Sequence, residues 1–147
     1  MRVKDLAIRL GVNPDTIRFY TRKGFIKPFK NAENGYQDFS LEDEARARFI
    51  LGARGLGFTV ADIEEILAVS DEHHTPCPLV RDLIEQRLKE TEERFNEMQR
   101  LRDRMRLAVA EWKNLPDSEP KGRSICNLIE SFSHCQNGKE KRETSNE

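Results

Sequence analysis

The sequence predicts a mostly α-helical protein in which a winged helix-turn-helix is followed by a long coiled-coil helix. Three observations lead to this fold class. Two short amphipathic segments meet at Gly11, an Asn34-Gly35 pair separates two extended pieces, and apolar residues recur at alternating steps of four and three from Ile84 to Trp112. Charged residues make up 35% of the 147 and hydrophobic residues only 37%, so the composition suits long exposed helices better than a thick core.

A helix-turn-helix is predicted over about residues 4–23. The first helix has an apolar face that includes Leu6, and Gly11 ends it. Asn13 is a favourable N-cap residue, and Pro14 fits the first position of the second helix. Two short helices joined by a glycine-containing turn are typical of this motif.

A wing follows the second helix. Asn34-Gly35 is the strongest short hairpin signal, and it lies between two extended pieces. Two more helices are predicted, over about residues 40–54 and 59–69, because each begins with a Ser/Thr-x-x-Asp capping box. Residues 1–70 are therefore expected to form one winged helix-turn-helix domain.

The next part of the chain is predicted to be a linker and a coiled coil. Residues 71–79 contain two prolines and are expected to be the linker, and a helix over residues 80–112 would span roughly 50 Å. Because one helix cannot bury its own apolar seam, we expect a second copy of the chain to cover it. Packing of the seam on the chain's own first domain is the alternative. The seam comprises Ile84, Leu88, Thr91, Phe95, Met98, Met105, Val109 and Trp112, with Arg102 at the one skipped position.

The end of the chain is predicted to change character twice. Residues 113–135 should form a loop and a short helix, because apolar residues recur at helical spacing over residues 125–132. Residues 136–147 are almost entirely polar or charged. We expect them to be a disordered tail.

Charge and cysteine content narrow the setting. Residues 1–30 carry eight Lys or Arg against two Asp, an excess of +6 that the overall charge of −1 hides. Such an excess favours a polyanionic partner. No apolar run approaches the roughly 20 residues of a membrane span, so we expect a cytoplasmic protein without a membrane partner. The three cysteines are then expected as free thiols or metal ligands rather than as disulfides.

The stretch DTIRFYTRKGFI gathers basic and aromatic residues on the second helix and just behind it. In a helix-turn-helix this helix enters the major groove of double-stranded DNA, while Ile17 packs inward. Tyrosine hydroxyls can bond a phosphate while their rings pack, and Lys27 can add charge near the wing. The candidate DNA-binding residues are Thr16, Arg18, Tyr20 and Arg22 of the helix with Lys30, Tyr36 and Gln37 of the wing.

These motifs resemble one family. VKDLAIRLGVNPDTIRFYTRKGFIKP, followed by ENGYQDFSLEDEARARFILGARGLGFTVADIEEIL, is similar to the DNA-binding domain of the MerR family of bacterial transcription regulators. The family elements T-I-R-[FY]-Y, G-[LF]-[LI], N-G-Y-R-x-[YF] and L-G-[FM]-[ST] have counterparts here in order across residues 1–70. The long helix matches the family's antiparallel dimerisation helix. One departure is Gln37, which replaces the family's usual Arg and removes a charge-assisted contact with phosphate.

The resemblance implies a homodimeric transcription regulator and not an enzyme. Such a dimer binds a palindrome in a promoter whose two polymerase elements are too far apart and out of phase. On binding its effector it bends and untwists that DNA, so that RNA polymerase already present can start transcription. The sequence contains no HExxH motif, phosphate-binding loop or nucleophile–base pair, and we predict no catalytic residue.

The resemblance also implies an effector site at the cysteines. In metal-sensing members a cysteine placed like Cys77 precedes the long helix and faces the partner's C-terminal loop, where Cys126 matches a loop cysteine. In the family, a cysteine at the first place tends to accompany divalent ions. Because thiolates suit soft or borderline ions, the expected effector is mercury, cadmium, lead or zinc. The predicted metal ligands are Cys77, Cys126 and Cys135, with His134 as a weaker candidate and His73 and His74 as spare ones.

Two other functions fit parts of the sequence. The match to metal sensors is incomplete, because other metal sensors carry a further cysteine about where Trp112 and Lys113 stand here. The protein could therefore be a MerR-type regulator that responds to an organic molecule, an aldehyde or an oxidant. Its effector would then bind a pocket lined by Trp112 or react with Cys77 or Cys126. A zinc-stabilised interaction protein built on the coiled coil is a further alternative, although the recognition helix and the wing argue against it.

Overall fold

The computed structural model describes residues 1–132. It is mostly helical, as predicted, and it divides into two compact units, one from Met1 to Thr91 and one beginning at Glu92. The elements in chain order are α1 (Val3–Leu10), α2 (Pro14–Arg22), β1 (Phe29–Lys30), β2 (Gln37–Asp38), α3 (Leu41–Gly55), α4 (Val60–Asp71) and α5 (Cys77–Trp112). Residues 127–132 are also helical. The tail predicted at residues 136–147 lies outside the described residues.

The helix-turn-helix forms where its local signals placed it. Gly11 ends α1 in the left-handed conformation, at φ 68°, which other residues adopt only with strain. The side chain of Asn13 accepts a hydrogen bond of 2.9 Å from the backbone N–H of Asp15, and Pro14 begins α2. Helices α1 and α2 together cover residues 3–22, beside the predicted span of residues 4–23.

The wing is an antiparallel hairpin of β1 and β2. Its connection spans residues 31–36 and is longer than the two-residue loop common in Asn-Gly hairpins. The side chains of Asn31 and Asn34 each accept a hydrogen bond from the backbone N–H two residues further on, at 2.8 and 3.0 Å. These Asx turns stabilise a longer loop, in which Gly35 adopts φ 71°. The wing itself was predicted correctly.

A hydrophobic core holds the first unit together. Every helix of the helix-turn-helix domain contributes to it, and burying each aliphatic side chain stabilises the fold by about 1.5–3 kcal/mol. The largest fully buried side chains are Leu6, Ile17, Ile26, Ile50, Ile63 and Ile66. Reciprocal capping boxes begin α3, with Ser40 and Asp43, and α4, with Thr59 and Asp62, as predicted.

Helix α5 begins earlier than predicted. It starts at Cys77 rather than residue 80, which shortens the linker to residues 72–76. Pro78 lies in the first turn, where its missing N–H removes no helical hydrogen bond. His73, two residues after the end of α4, adopts a left-handed backbone conformation with φ 62°. Leu83 is buried in the core of the first unit, so the first turns of α5 belong to that unit.

The rest of α5 leaves its predicted seam open. The exposed fractions of Leu88, Phe95, Met98, Met105 and Val109 lie between 55% and 64%, as expected of a helix that needs a second copy. At the end of α5 the ring of Trp112 packs edge-on against Phe132, with 6.0 Å between the ring centroids. Within the described residues the last helix begins at residue 127, two residues later than predicted. Within residues 1–132, no helix is both long and apolar enough to cross a membrane.

Candidate nucleic-acid interface and effector cysteines

Helix α2 presents a buried face and an exposed face. Ile17 is fully buried, whereas Arg18 and Arg22 are exposed and Thr16 is half-buried. Nη1 of Arg18 lies 2.7 Å from Oδ1 of Asp15, and both side chains are at least half exposed. Such an exposed ion pair contributes little to stability, so Arg18 can exchange Asp15 for a DNA phosphate at little cost in free energy. The contact of these residues with DNA stays a prediction.

A cleft lies between the start of α1, the recognition helix α2 and the wing. It brings together four of the seven predicted DNA-binding residues, namely Arg18, Lys30, Tyr36 and Gln37. Arg2, Val3, Lys4, Asp5 and Gly35 complete its lining. The lining contains four basic side chains and one acidic side chain, a balance that favours a phosphate chain. We call this surface the basic cleft.

Sequence reasoning missed two residues of the basic cleft, Arg2 and Lys4. The guanidinium carbon of Arg2 lies 4.2 Å from the centroid of the Tyr36 ring, a cation–π contact that joins the chain start to the wing. The signal available in the sequence was the basic excess of residues 1–30, which counts both side chains. It could not show that they meet a wing more than 30 residues away.

Tyr20 is placed differently from the other candidates. Only 5% of it is exposed, and its ring lies 6.1 Å from that of Phe19 and 6.4 Å from that of Phe25, centroid to centroid. Burial raises the pKa of its hydroxyl, while the positive charge of Arg54 opposes that shift. The ring therefore serves the core, and the expected hydrogen bond from its hydroxyl to phosphate stays a prediction.

Ion pairs join helices of the first unit to each other. Glu44 is 5% exposed, and its carboxylate accepts hydrogen bonds from Nε of Arg9 at 3.0 Å and from Nη2 of Arg48 at 2.9 Å. These bonds, that of Arg9 first, lower the pKa of Glu44. The pair with Arg9 ties α1 to α3, so it holds the first helix of the helix-turn-helix in place.

Arg46 joins the exit of the recognition helix to the end of α4. Its Nε donates to the carbonyl oxygen of Phe25 at 2.6 Å, and its two Nη atoms donate to the carboxylate of Asp71 at 2.7 and 3.3 Å. The hydrogen bond from Arg46 is the main cause of a lowered Asp71 pKa. A bidentate pair of this kind fixes geometry as well as charge. The end of α4 is therefore anchored just before the linker.

The two described cysteines each stand at the start of a helix, and both are free thiols. Cys77 is the exposed first residue of α5, and its N–H donates to Oγ1 of Thr75 at 3.4 Å. Cys126 is half-buried and directly precedes the helix at residues 127–132. They belong to different units of the chain, Cys77 to the first and Cys126 to the second.

The loop that carries Cys126 is held by Glu130. Its carboxylate accepts hydrogen bonds from Oγ of Ser124 at 2.6 Å and from the N–H of Ile125 at 2.8 Å. The N–H of Glu130 in turn donates to the carbonyl oxygen of Cys126 at 3.1 Å. The hydrogen bond from Ser124, and to a smaller extent those from the backbone N–H groups of Ile125 and Cys126, lower the pKa of the Glu130 carboxyl. The loop thus has a defined conformation next to the thiol.

The remaining ligand candidates divide into two groups. His73 and His74 are exposed residues of the linker. Cys135 and His134 lie outside the described residues. Among residues 1–132 of one copy, no three side chains of His, Cys, Asp or Glu are grouped so that they could hold a metal ion.

An exposed recognition helix, a wing and a basic cleft between them define the class of the protein. Phosphate contacts position such a protein on DNA, and side chains of the recognition helix reach base edges in the major groove. The described fold is therefore that of a winged helix-turn-helix DNA-binding protein.

Comparison with known proteins identifies the family. The model described as MerR HTH family regulatory protein matches residues 1–69, and the one described as MerR, DNA binding matches residues 44–108. The HTH-type transcriptional regulator ZntR of Escherichia coli (strain K12) is 36% identical over 100 residues, which cover 67% of this chain and 70% of that protein. The chain belongs to the MerR family of DNA-binding transcription regulators, which are not enzymes and typically dimerise through a coiled coil.

Two further proteins extend the similarity along the chain. The mercuric resistance operon regulatory protein of Bacillus cereus is 30% identical over 133 residues, 89% of this chain and 96% of that protein. The crystal structure of the dual function transcriptional regulator MerR from Bacillus megaterium MB1, in complex with mercury(II), is 28% identical. It superposes with a TM-score of 0.56 over 90% of this chain and 99% of that one. The predicted family and fold class are confirmed.

Proposed function

We propose that this protein is a metal-responsive regulator: a homodimer that binds a promoter palindrome and activates transcription by distorting the DNA when a thiophilic, divalent ion binds. The observation that carries the proposal is the pair of free thiols at helix starts, Cys77 exposed and Cys126 half-buried. Relatives over most of the chain include a mercuric resistance regulator and a regulator in complex with mercury(II). Their similarity supports a metal as the effector class.

The donor chemistry of the chain fits such an ion. Thiolate sulfur prefers soft or borderline metals, so mercury, cadmium, lead and zinc are the candidates. Two thiolates leave room for further ligands. Cys135 is the next sulfur along the chain from Cys126, and His134 is the weaker candidate beside it.

We assign the site to two subunits of an antiparallel dimer. Cys77 of one copy would share the ion with Cys126, and with Cys135, of the partner subunit. The apolar seam of α5 supports this arrangement, because its exposed residues need a second copy to cover them. An antiparallel pairing brings the start of one α5 toward the end of the other, and Cys126 follows the end of that helix.

The same arrangement gives a physical route from the effector to the DNA. With an ion bound, the loop of one subunit is held against the first turn of the partner's α5. That turn follows the linker at residues 72–76 and belongs to a helix whose Leu83 is packed into the DNA-binding unit. A shift at Cys77 can therefore reorient that unit. The coupling required is typically about 1–3 kcal/mol, which is less than metal coordination by thiolates can supply.

On DNA, each subunit would place α2 in the major groove of one half of the palindrome. Thr16, Arg18 and Arg22 would face the groove, while Lys30, Tyr36 and Gln37 of the wing would contact phosphates. RNA polymerase is already on the promoter when the dimer acts. The dimer changes the free energy needed to deform the DNA spacer between the two polymerase elements. Specificity then arises partly at base pairs that the protein does not touch.

The test is transcription in vitro from the cognate promoter, with mercury, cadmium, lead and zinc titrated separately. Wild type is compared with Cys77→Ser, Cys126→Ser and Cys135→Ser, and with Ser70→Ala as a control at an exposed hydroxyl near the linker. Cys77→Ser and Cys126→Ser should keep operator affinity and lose activation. Cys135→Ser should weaken the response, and Ser70→Ala should behave as wild type.

Each outcome of this experiment is decisive for one part of the proposal. Full activation of Cys77→Ser by an ion that activates wild type would eliminate the bridging thiolate for that ion. Failure of every ion on wild type would favour an organic effector instead. Loss of operator affinity in the serine variants would mean that the thiols serve the fold and not the sensor.

A further inference from the structure

The first turns of α5 pack on the DNA-binding unit through an apolar stripe that ends in an arginine. Leu83 is 8% exposed within the core, and Leu79, Val80 and Ile84 are packed half-buried against it. Arg87 occupies the next position of the same face, four residues after Leu83 and three after Ile84. Its side chain is only 20% exposed. A charged group therefore stands where the helix periodicity would continue an apolar contact.

The guanidinium of Arg87 reaches the first turn of α4. Its Nε lies 3.1 Å from Oδ2 of Asp62, whose side chain is 7% exposed. The same carboxylate oxygen accepts a hydrogen bond of 3.0 Å from the N–H of Thr59, which caps α4. On its other side, Nη1 of Arg87 donates to Oε2 of Glu90 at 2.8 Å. Arg87 thus joins α5 to the capping box of α4.

The contact between Arg87 and Asp62 fixes geometry more than it adds stability. The Nε atom is buried, and among the described residues no acceptor is aligned for a hydrogen bond with its N–H. Two charges that lose their water gain little over a well-packed apolar pair. The apolar contact of Leu83 tolerates small shifts of α5, whereas a shift that separated Arg87 from Asp62 would leave two largely buried charges apart, which is costly.

We propose that Arg87 is a positioning residue that fixes the orientation of α5 against α4 and so passes a displacement of α5 to the DNA-binding helices. Cys77 lies ten residues earlier on the same helix, roughly 15 Å along its axis. The origin of the displacement rests on the function proposed above. The fixed orientation does not, since it follows from residues of the first unit alone.

The orientation is tested first without metal, in the full-length dimer. A spin label is introduced at Lys23, an exposed residue after α2, through an unnatural amino acid, so that the native thiols are untouched. Pulsed electron paramagnetic resonance then measures the distance between the two labels. Arg87→Leu, which keeps the site apolar and packed, should broaden the distance distribution about twofold. Arg81→Leu, at an exposed arginine of the same helix, should leave it as narrow as in wild type.

A matching variant of the partner residue separates positioning from folding. Asp62→Asn should broaden the distribution as Arg87→Leu does, and the double variant should add nothing further. Unchanged circular dichroism of the metal-free variants shows that the unit is folded. A distribution for Arg87→Leu as narrow as that of Arg81→Leu would overturn the inference.

The transmission is tested in the same samples by adding mercury(II). In wild type the ion should shift the mean distance. Arg87→Leu should bind the same number of ions and lose at least three quarters of that shift, while Arg81→Leu should keep all of it. A full shift in Arg87→Leu would overturn the transmitting role. A wild type that binds no ion would instead count against the proposed function, and the metal-free distance distribution would still decide the positioning role.

Discussion

The two units of the chain treat apolar surface in opposite ways. In Met1–Thr91, side chains such as Ile17 and Ile50 are fully buried in a core that the unit closes by itself. From Glu92 onward, large side chains such as Phe95 and Met98 remain more than 60% exposed in one copy. The first unit therefore closes its own core around the recognition helix and the wing, whereas the second leaves an apolar face for another copy to cover.

Charges placed in the exposed seam of α5 should have the largest effect on the difference between the two units. Replacing Leu88 and Phe95 together with Asp should convert the dimer to a monomer, because two like charges would meet an apolar partner surface. Analytical ultracentrifugation should give half the wild-type mass, while circular dichroism of the first unit persists. Lys89→Asp with Asn96→Asp, one position off the seam, is the control and should remain dimeric. A dimeric Leu88→Asp/Phe95→Asp variant would place the interface elsewhere.

Removing volume from the closed core should have the next largest effect. Ile17→Ala leaves a cavity at a fully buried position, so the first unit should lose about 2–5 kcal/mol of unfolding free energy. The matched control is Ile8→Ala, the same change at a residue that is 80% exposed. It should cost less than about 0.5 kcal/mol. Equal losses in denaturant titrations of the two variants would contradict the assigned core.

Removing charge from the exposed face of α2 should affect binding and spare stability. Arg18→Ala should weaken operator binding by about 1–3 kcal/mol, because a charged fork at the DNA is lost. Its ion pair with Asp15 is exposed, so unfolding should hardly change. Fluorescence anisotropy with operator DNA measures the affinity. Arg100→Ala in the second unit is the control, and equal affinity of the two variants would remove Arg18 from the interface.

Adding a positive charge to the wing tests whether the wing side of the basic cleft contacts the DNA backbone. Gln37→Arg should strengthen operator binding and steepen its salt dependence by about one phosphate contact, because the new guanidinium lines the same cleft as Lys30. Glu33→Gln, an exposed residue of the wing loop, should change the salt slope less than Gln37→Arg. An unaltered slope for Gln37→Arg would mean that this part of the wing does not reach the DNA backbone.

Acid should weaken the first unit through Glu44. Because hydrogen bonds from Arg9 and Arg48 hold its folded pKa below the ordinary value, the unfolded chain takes up the proton first as pH falls below about 4.3. The carboxylate's contribution is thus present above that pH and lost as pH falls through the folded pKa. Glu44→Gln should flatten this part of the curve of unfolding free energy against pH, measured by denaturant titrations at a series of pH values. A persistent acid slope in Glu44→Gln would assign it to other groups.

Local signals explain why so much of the fold was predictable. Gly11, Asn13 and the capping boxes act on their immediate neighbours, and the helix ends and starts that they predicted lie within one residue of those in the structure. The exceptions follow from the same reasoning. Pro78 was taken as a linker residue, although a proline also fits a first turn, so α5 begins three residues before the prediction. In the wing, hydrogen bonds to the side chains of Asn31 and Asn34 stabilise the loop at residues 31–36, which the Asn34-Gly35 pair alone did not indicate.

The candidate site was less predictable, because it is assembled from distant parts of the chain. Helical periodicity correctly placed Ile17 inside and Arg18 outside. It could not show that Arg2 would meet Tyr36, since the wing's position is set by the tertiary fold. The burial of Tyr20 among aromatic neighbours likewise depends on Phe25, beyond the helix that carries it. The cysteines were found by resemblance to a family, because a lone thiol carries no periodic signal.

The central claim is that sensing requires two subunits, and mixed dimers test it most directly. One subunit carries Cys77→Ser and the other carries Cys126→Ser, each with a different affinity tag so that the heterodimer can be isolated. If the site bridges subunits, this heterodimer retains one complete pair, Cys77 of one copy with Cys126 of the other. If each site lies within one subunit, no complete pair remains.

The measurement is the number of mercury(II) ions bound per dimer in competition with a small thiol, together with promoter activation. Wild type should bind two ions at the sensing sites, each serine homodimer none, and the mixed dimer one, with part of the activation restored. Two ions and no ion are the matched references for that intermediate value. A mixed dimer that binds no ion, although wild type binds two, would contradict the account and place each sensing site within a single subunit.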